Sequence, residues 1–284
     1  MKDKVVLVTG ASGGIGTATA LEFAKENAKV ILHYNKNKKH AEDLAKKIGK
    51  NAILVIGADL SDEGQVNQMF QEIDKRVGRI DILVANAGIW PEEYVEIKDM
   101  PYERWKNTIK VDLDSVFFCA RNFLKQLEKY PSDYGNIIIV GSTAAIFGEA
   151  GHADYSAAKA AITYGLTLSL KNEIVSVARF GRVNAVCPGW TVSPMTVKYL
   201  KDSKNVLRTL KTIPLRKIAQ AEDVARIIVM LASDKVSGHV TGQIITIAGG
   251  MEGRVLFEDK DIDLEKGSDR CEVSWRNVNK HPSI

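Results

Sequence analysis

Short apolar runs alternate along the chain with longer stretches in which apolar residues recur every three or four positions. Most of the runs are continuously apolar, which is typical of strands buried on both faces of a parallel sheet. They predict seven strands, at 4–9, 29–34, 52–57, 79–85, 136–142, 182–187 and 243–248. The stretches between them predict helices at about 14–27, 38–49, 62–77, 103–129, 154–178 and 222–232.

This regular alternation indicates an α/β fold, a Rossmann-type, doubly wound, seven-stranded parallel sheet with helices on both faces. No linker interrupts residues 1–250, which we therefore expect to form one dinucleotide-binding and catalytic domain. Three prolines in 188–215 predict an excursion over the surface. The polar extension 251–284 is expected either to be disordered or to lie along a neighbouring subunit, and the sequence leaves both open.

Composition excludes several classes of protein. The net charge of +4 is small and scattered, without a basic tract carrying aromatic residues, which argues against nucleic-acid binding. No apolar run approaches the roughly 18 residues of a membrane span, and the first run is too short for a signal peptide. Three distant cysteines predict neither disulfides nor a metal site, and they fit a reducing compartment. We therefore expect a cytoplasmic protein.

A glycine-rich turn, TGASGGIG at 9–16, lies where the first strand meets the first helix. Open α/β sheets bind dinucleotides at this position, because glycines allow close approach to a pyrophosphate and the helix N-terminus offers free N–H groups. The glycines are Gly10, Gly14 and Gly16, and Ser12 breaks the G-x-G-x-x-G spacing. A turn of this kind without a ligand is the alternative interpretation.

Further motifs follow the later strands in order. They are ADL at 58–60, NAG at 86–88, Ser142, the pair Tyr155 and Lys159, and Pro188–Gly189. Together with the glycine turn, they make residues 3–251 resemble the short-chain dehydrogenase/reductase family, and in particular its 3-oxoacyl-thioester reductases and glucose dehydrogenases. Any one motif is weak, but six in order at the expected strand ends are specific.

The resemblance implies a catalytic group of Ser142, Tyr155 and Lys159. Tyr155 would give a proton to a carbonyl or take one from an alcohol, and Ser142 would hydrogen-bond the substrate oxygen. Residues four apart share one helix face, so the Lys159 ammonium is expected to lower the pKa of Tyr155. In the family the lysine also holds the nicotinamide ribose.

One catalytic position departs from the family pattern. The family has an asparagine in the long helix before the fifth strand, at a helix irregularity, and this chain has Asp112 there. Asp112 is predicted to fill that role, so Asp112→Asn should keep activity within about tenfold. Its charge would favour charged Lys159 but oppose the Tyr155 phenolate, which leaves the net effect open.

The family's cofactor contacts carry over onto a larger set of residues. They are Thr9, Gly10, Ser12, Gly14, Ile15, Gly16, Tyr34, Asn35, Lys36, Asp59, Leu60, Asn86, Ala87, Gly88, Tyr155, Lys159, Pro188 and Gly189. Tyr34 stands where NAD-binding members carry an acidic residue, and Lys36, Lys38 and Lys39 follow it. The sequence therefore favours NADP(H) and leaves NAD(H) open.

The substrate is less constrained. The loops expected to form its pocket carry an aromatic and mostly uncharged set beside Ser142, namely Trp90, Tyr94, Phe147, His152, Trp190, Met195 and Tyr199. Such a pocket suits NADP(H)-linked reduction of a small-molecule carbonyl, with a 3-oxoacyl thioester or general ketone as the first expectation. A sugar or polyol (aldose 1-) dehydrogenase is the alternative, and a non-catalytic NADP(H)-sensing regulator or scaffold is the competing class.

The long helices at 103–129 and 155–178 are the surfaces through which members of the family commonly assemble. The second helix begins YSAAKAAITYGL, and its small residues permit close packing. We expect a homo-oligomer, a tetramer or a dimer.

Overall fold

A seven-stranded parallel sheet forms the centre of the computed structural model, which describes residues 1–267. Its strand order is β3-β2-β1-β4-β5-β6-β9, and β7 and β8 pair separately. The strands are β1 Val5–Val8, β2 Lys29–Tyr34, β3 Ala52–Gly57, β4 Ile82–Ala85, β5 Asn136–Val140, β6 Arg182–Pro188, β7 Thr191–Val192, β8 Ala219–Gln220 and β9 Ile244–Ile247. The predicted fold class and all seven predicted strands are confirmed. The strand order reverses between β1 and β4, which opens a crevice at their carboxyl ends.

Helices cover both faces of the sheet. They are α1 Gly14–Lys25, α2 Lys38–Ile48, α3 Glu63–Arg76, α4 Tyr102–Ile109, α5 Ser115–Lys129, α6 Ala144–Phe147, α7 Ala153–Ala160, α8 Thr167–Glu173, α9 Val197–Leu200, α10 Ser203–Leu210, α11 Ala221–Ala232, α12 Asp234–Ser237 and α13 Leu264–Gly267. One apolar core packs α3, α5 and α8 against the sheet. A second core packs α1, α2 and α11 against the other face.

The two longest predicted helices are each interrupted by a π-helical turn. These turns span Lys110–Asp114 and Ala161–Leu166. The first lies where the family resemblance implied a helix irregularity, and the second interrupts 154–178, which was predicted as one helix. A π turn holds one residue more than an α turn, and it is often found at functional sites. The first turn carries Asp112, whose position therefore differs from that on a regular helix.

The region after β6 crosses the carboxyl edge of the sheet as β7, α9, α10 and β8. We call residues 191–220 the α9–α10 segment. Its buried residues Leu200, Val206, Leu210 and Ile218 form a small apolar cluster separate from the two sheet cores. The chain after β9 returns to this segment.

Residues 251–267 lie against the α9–α10 segment of their own chain. Leu256 N–H donates to Lys211 O at 2.7 Å, and Ile218 N–H donates to Gly267 O at 3.3 Å. Ile262 and Leu264 pack against the apolar cluster of the segment. The rest of the predicted extension, 268–284, lies outside the described residues. No helix in the described range 1–267 is long and apolar enough to span a membrane.

Candidate active site

A cleft of about 580 Å³ opens at the carboxyl ends of the central strands. Its walls bring together the glycine turn, the NAG motif, the Ser142–Tyr155–Lys159 group and the Pro188–Gly189 pair. The Ser-Tyr-Lys group stands between two ends of this cleft. We call the end with the glycine turn the cofactor end, and the end with Trp90 and Trp190 the substrate end.

The glycine turn allows backbone approaches that a side chain would block. Gly10 has a φ of 63°, a left-handed conformation that glycine adopts without strain. A Cβ at Gly16 would collide with Gly10 O, and one at Gly14 would lie 2.7 Å from Ser193 Cβ. The turn then feeds directly into the N-terminus of α1. The structure thus provides the close backbone cradle that the sequence predicted.

His33, which was not predicted as a site residue, holds the glycine turn through a hydrogen bond with its backbone. Gly10 N–H donates to His33 Nδ1 at 3.0 Å, so the ring's Nε2–H donates to Ala58 O at 3.0 Å. Burial lowers the pKa of His33 to about 4, against opposing effects of the Ala58 hydrogen bond and the Asp59 charge. The neutral ring is therefore the form that holds the turn. Its only signal in the sequence is a histidine near the end of an otherwise apolar strand.

Thr9 and Asn86 join the glycine turn to the NAG motif. Thr9 Oγ1 donates to Val84 O at 3.1 Å and accepts the N–H groups of Asn86 and Ala87 at 2.8 and 3.0 Å. Asn86 Nδ2 donates to Thr9 O at 2.8 Å. Asn86 and Ala87 line the cleft, whereas Thr9 lies behind them. Thr9 is placed to position the wall and not to contact a ligand.

Of the predicted cofactor residues at the end of β2, some line the cleft and one does not. Asn35 and Lys36 line the cleft, as do Asp59 and Leu60 after β3. Tyr34 does not, because its ring lies over Gly57, where a Cβ would be 2.7 Å from Tyr34 Cζ. Tyr34 therefore keeps the acidic position free of charge without forming part of the described cleft wall.

Ser142, Tyr155 and Lys159 meet in the middle of the cleft. Tyr155 lies in the first turn of α7, and Lys159 follows one turn later. Lys159 Nζ lies 5.6 Å from the Tyr155 ring centroid and donates to Val140 O at 3.3 Å. The helix spacing thus places the ammonium beside the phenol, as predicted.

The pKa of Tyr155 moves opposite to the expected direction. Burial is the largest cause and raises the pKa, and the Asp112 charge raises it further. The hydrogen bond with Ser142 opposes both. The net shift is therefore upward and not downward as predicted, because removing the phenolate from water is unfavourable and Lys159 is not among the main causes of the shift. The phenol is protonated at neutral pH and can donate.

Asp112 is fully buried and faces Lys159. Its Oδ1 lies 3.7 Å from Lys159 Nζ and accepts the Ile89 N–H at 2.9 Å. Its Oδ2 is buried and has no hydrogen-bond partner among residues 1–267. Burial raises the pKa of this carboxyl, and the Lys159 charge opposes the rise. Gly88 permits the approach, because a Cβ there would collide with Asp112 Oδ1.

The predicted substrate residues fall into two groups. Trp90, Phe147 and Trp190 line the cleft. His152 does not line it but lies behind Trp90, with its ring stacked at 5.1 Å and its Nε2–H donating to Pro91 O at 2.8 Å. His152 therefore supports the wall instead of forming it.

Glu149 and Met251 line the substrate end, although neither was predicted as a site residue, and Met195 of a predicted pocket loop lines it too. Met195 and Met251 come from the α9–α10 segment and the start of the extension. No local motif marks such residues, because distant parts of the chain bring them together.

Comparison with known proteins decides the family. A family model described as enoyl-(acyl carrier protein) reductase matches residues 10–252. A 3-oxoacyl-[acyl-carrier-protein] reductase of Synechocystis is 36% identical over 87% of this chain and 96% of its own length. One from Thermotoga maritima is 35% identical over 88% and 98%. The chain belongs to the short-chain dehydrogenase/reductase family.

A solved structure agrees with this assignment. A protein from Brucella melitensis, titled short-chain dehydrogenase/reductase, glucose/ribitol dehydrogenase, superposes with a TM-score of 0.79 at 29% identity. The superposition covers 88% of this chain and 97% of that one. This member of the family is therefore an oxidoreductase of the class that uses a nicotinamide cofactor on small molecules, and not a non-catalytic sensor or scaffold.

The cleft fits a nicotinamide dinucleotide. Its glycine cradle has no space for side chains at Gly14 and Gly16, and the α1 N-terminus offers backbone N–H groups to a pyrophosphate. Asp59 lies at one end of the cleft and Lys159 beside the phenol. When bound, the cofactor supplies hydride chemistry. The protein's own groups line the cleft around the position of the cofactor, with the Tyr155 phenol and the Lys159 ammonium among them.

Proposed function

We propose that this oxidoreductase uses NADP(H) to reduce the ketone of a 3-oxoacyl thioester or a similar neutral ketone. The observation that carries the proposal is the buried Tyr155 phenol, which lines the cleft with Ser142 and Lys159 and whose pKa is raised by burial. A protonated phenol is the form that reduction requires, because the carbonyl oxygen gains a proton. The names of the Synechocystis and Thermotoga relatives support the thioester class.

Each residue of the group has its own role in the proposed reaction. Ser142 hydrogen-bonds the substrate oxygen and stabilises the charge that develops on it. Tyr155 gives its proton to that oxygen. Lys159, held by Val140 O and facing Asp112, stabilises the phenolate left behind. Burial keeps water away from this proton transfer.

The preference for NADP(H) rests on the cofactor end. Lys36 lines the cleft where the family's NAD-binding members have a carboxylate nearby, and its ammonium can pair with a 2′-phosphate. The test is the thermal midpoint with NADPH and with NADH at equal concentration. A ligand at a hundred times its Kd stabilises by about 2.7 kcal/mol. A shift with NADPH alone supports the proposal, and a shift with NADH alone contradicts it.

A sugar or polyol dehydrogenase is the second candidate. The Brucella protein titled glucose/ribitol dehydrogenase favours it, and so do the indole rings of Trp90 and Trp190 in the cleft. A substrate panel separates the two. NADPH consumption with acetoacetyl thioesters supports the first function. NADP reduction with aldoses or polyols, without NADPH consumption by the thioesters, supports the second.

We also propose a homo-oligomer, a tetramer or a dimer. Apolar side chains are exposed on and beside α5 and α8, with Phe117, Tyr164, Leu168 and Val175 each 39–50% exposed. Such an apolar surface is costly to leave in water and favours a second copy. Light scattering at micromolar concentration tests this, and a monomer mass would contradict it.

A further inference from the structure

An aromatic corner forms and supports the wall of the substrate end. We define it as Trp90, Glu149, His152, Trp190 and Tyr199. Trp90 stacks on His152 with centroids 5.1 Å apart, and Trp190 stacks on Tyr199 at 4.4 Å. Trp90 also meets Trp190 edge-on at 5.9 Å. These contacts fix the ring positions before any ligand binds.

Glu149 is the acidic member of this corner, and it is held in place from several sides. Its Oε1 accepts the Trp90 indole N–H at 3.2 Å and lies 3.6 Å from His152 Nδ1. Its backbone N–H donates to Ser156 Oγ at 3.0 Å. Burial raises the pKa of the carboxyl, and the neighbouring His152 and Trp90 oppose that rise. One carboxylate oxygen is thus fixed by the wall.

The other oxygen remains available to a ligand. Glu149 Oε2 makes no hydrogen bond to any residue in 1–267, and the side chain is 27% exposed in the cleft. Two acidic residues line the cleft within the described chain, Glu149 and Asp59. Asp59 lies after β3 at the cofactor end, where Ser61 donates to its Oδ1 from N–H and Oγ. A substrate at Tyr155 therefore meets the Glu149 carboxylate and not that of Asp59.

We propose that Glu149 determines substrate specificity, by accepting a hydrogen bond from a neutral donor on the substrate and by rejecting anionic ketones. The donor is a hydroxyl or an amide N–H, separated from the reacting carbonyl by an apolar portion that packs on the rings. This inference rests on the proposed ketone reduction and deepens it. A free 3-oxo acid would bring its carboxylate towards Glu149, whereas its thioester would not.

Two matched substrate pairs test the proposal through kcat/KM. The first pair is acetoacetate as its N-acetylcysteamine thioester, which has an amide N–H, and as its ethyl thioester, which lacks one. The second pair is 5-hydroxypentan-2-one and hexan-2-one, in which a short alkyl chain separates the hydroxyl, or the methyl group that replaces it, from the carbonyl. A hydrogen bond to a charged group contributes about 1.5–3 kcal/mol, so we expect the donor-bearing member of at least one pair to be preferred about tenfold or more. The pair that shows the preference identifies the donor as amide or hydroxyl.

Variants connect that preference to Glu149. Glu149→Leu should abolish it, and Glu149→Gln should raise kcat/KM for acetoacetate relative to the ethyl thioester at least fivefold. Glu93→Gln is the matched control, because Glu93 is exposed on the adjacent loop and does not line the cleft. A purely structural role for Glu149 would lower kcat/KM for all substrates by the same factor. Unchanged ratios in both Glu149 variants would overturn the proposal.

A binding measurement keeps this result separate from the proposed reaction. The butanoyl thioesters of N-acetylcysteamine and of ethanethiol have no ketone to reduce, and calorimetry can measure their Kd on the NADPH-bound protein. If no ketone turns over, the proposed function fails. The proposal for Glu149 then stands if wild type binds the amide-bearing ester about tenfold more tightly and Glu149→Leu does not. Equal binding of both esters by wild type, together with equal binding of 5-hydroxypentan-2-one and hexan-2-one, would overturn it.

Discussion

The two ends of the cleft are built in different ways. At the cofactor end, backbone groups form the wall, and Thr9, Asn86 and His33 fix them through hydrogen bonds between neighbouring strand ends. At the substrate end, side chains form the wall, and ring stacking and the Glu149 carboxylate fix them. The first construction can be recognised from short motifs, whereas the second depends on packing between distant segments.

Because of this difference, the two ends of the cleft tolerate different substitutions. A backbone wall at the cofactor end admits few substitutions, because a Cβ at Gly16 or Gly88 meets neighbouring atoms. A side-chain wall can exchange rings or the acid and thereby alter the substrate without altering cofactor binding. Variants at one end should therefore leave binding at the other end nearly unchanged.

The largest effect on kcat is expected from substitution of Tyr155, which lies between the cofactor end and the substrate end. Tyr155→Phe removes the proton donor, and general acid catalysis contributes about 10²–10⁴-fold to a rate. We expect kcat to fall by that factor while the Kd for NADPH changes little, measured by steady-state kinetics and fluorescence titration. Tyr102→Phe, at a side chain 70% exposed, is the control and should keep full activity. Retained turnover in Tyr155→Phe would remove Tyr155 from the mechanism.

Acid should affect the cofactor end through His33. Its pKa is about 4 in the folded chain against 6.5 ordinarily, so the unfolded chain takes up the proton first as pH falls. The stability from neutral His33 is present above pH 6.5 and is lost towards pH 4. The loss is on the order of 3 kcal/mol. Urea unfolding between these pH values measures it, and His33→Gln should show a smaller dependence. An equal slope in both proteins would refute the role.

Substitution of Lys36 should affect only the cofactor end of the cleft. Lys36→Ala should weaken NADPH binding about tenfold, since a charge-assisted hydrogen bond contributes about 1.5–3 kcal/mol, and should leave NADH binding unchanged. Lys39→Ala provides the control, because Lys39 is exposed and does not line the cleft. Calorimetric titration with both cofactors measures the difference. Equal losses for NADPH and NADH would indicate general electrostatics in place of 2′-phosphate recognition.

A smaller effect is expected from substitution of Asp112, beside the Ser142–Tyr155–Lys159 group. Asp112→Asn should keep kcat within about tenfold. Because the Asp112 charge raises the pKa of Tyr155, its removal should lower that pKa. Reduction needs the protonated phenol, so the high-pH fall in rate should move to lower pH, as a pH–rate profile would show. Loss of more than about a thousandfold, or a shift to higher pH, would contradict this role.

The smallest effect is expected where the extension packs on the α9–α10 segment, the two pieces that supply Met251 and Met195 to the substrate end. The Arg216 guanidinium lies 5.2 Å from the Phe257 ring centroid, and such an exposed contact contributes about 0.5–1 kcal/mol. Phe257→Ser should therefore raise substrate KM about two- to fivefold without changing NADPH binding. Val255→Ser, at an exposed position of the same segment, should change neither. A weaker Kd for NADPH in Phe257→Ser would show that the two ends are coupled.

The sequence predicted features that depend on local chemistry. The continuous apolar runs predicted all seven sheet strands, and the turn, the NAG motif and Tyr155 with Lys159 lie in one cleft because parallel strands end at the same edge. The π turn at Lys110–Asp114 lies where the family resemblance implied a helix irregularity, whereas the turn at Ala161–Leu166 was not predicted, because no residue type marks the extra residue of a π turn. The place of His152 behind Trp90 depends on contacts between separate loops. The pKa direction of Tyr155 depends on burial, which spacing does not reveal.

The packing of residues 251–267 on the α9–α10 segment has a consequence for local unfolding. The two pieces share an apolar cluster that is separate from both sheet cores, and backbone hydrogen bonds join them at Lys211 and Ile218. Cooperative units of this kind open and close together with a free energy below that of global unfolding. Amide hydrogens on α10 should therefore exchange with solvent at the same rate as those donated by the extension, and sooner than those of β5. The extension and the α9–α10 segment, which supply Met251 and Met195 to the substrate end, should therefore loosen as one unit.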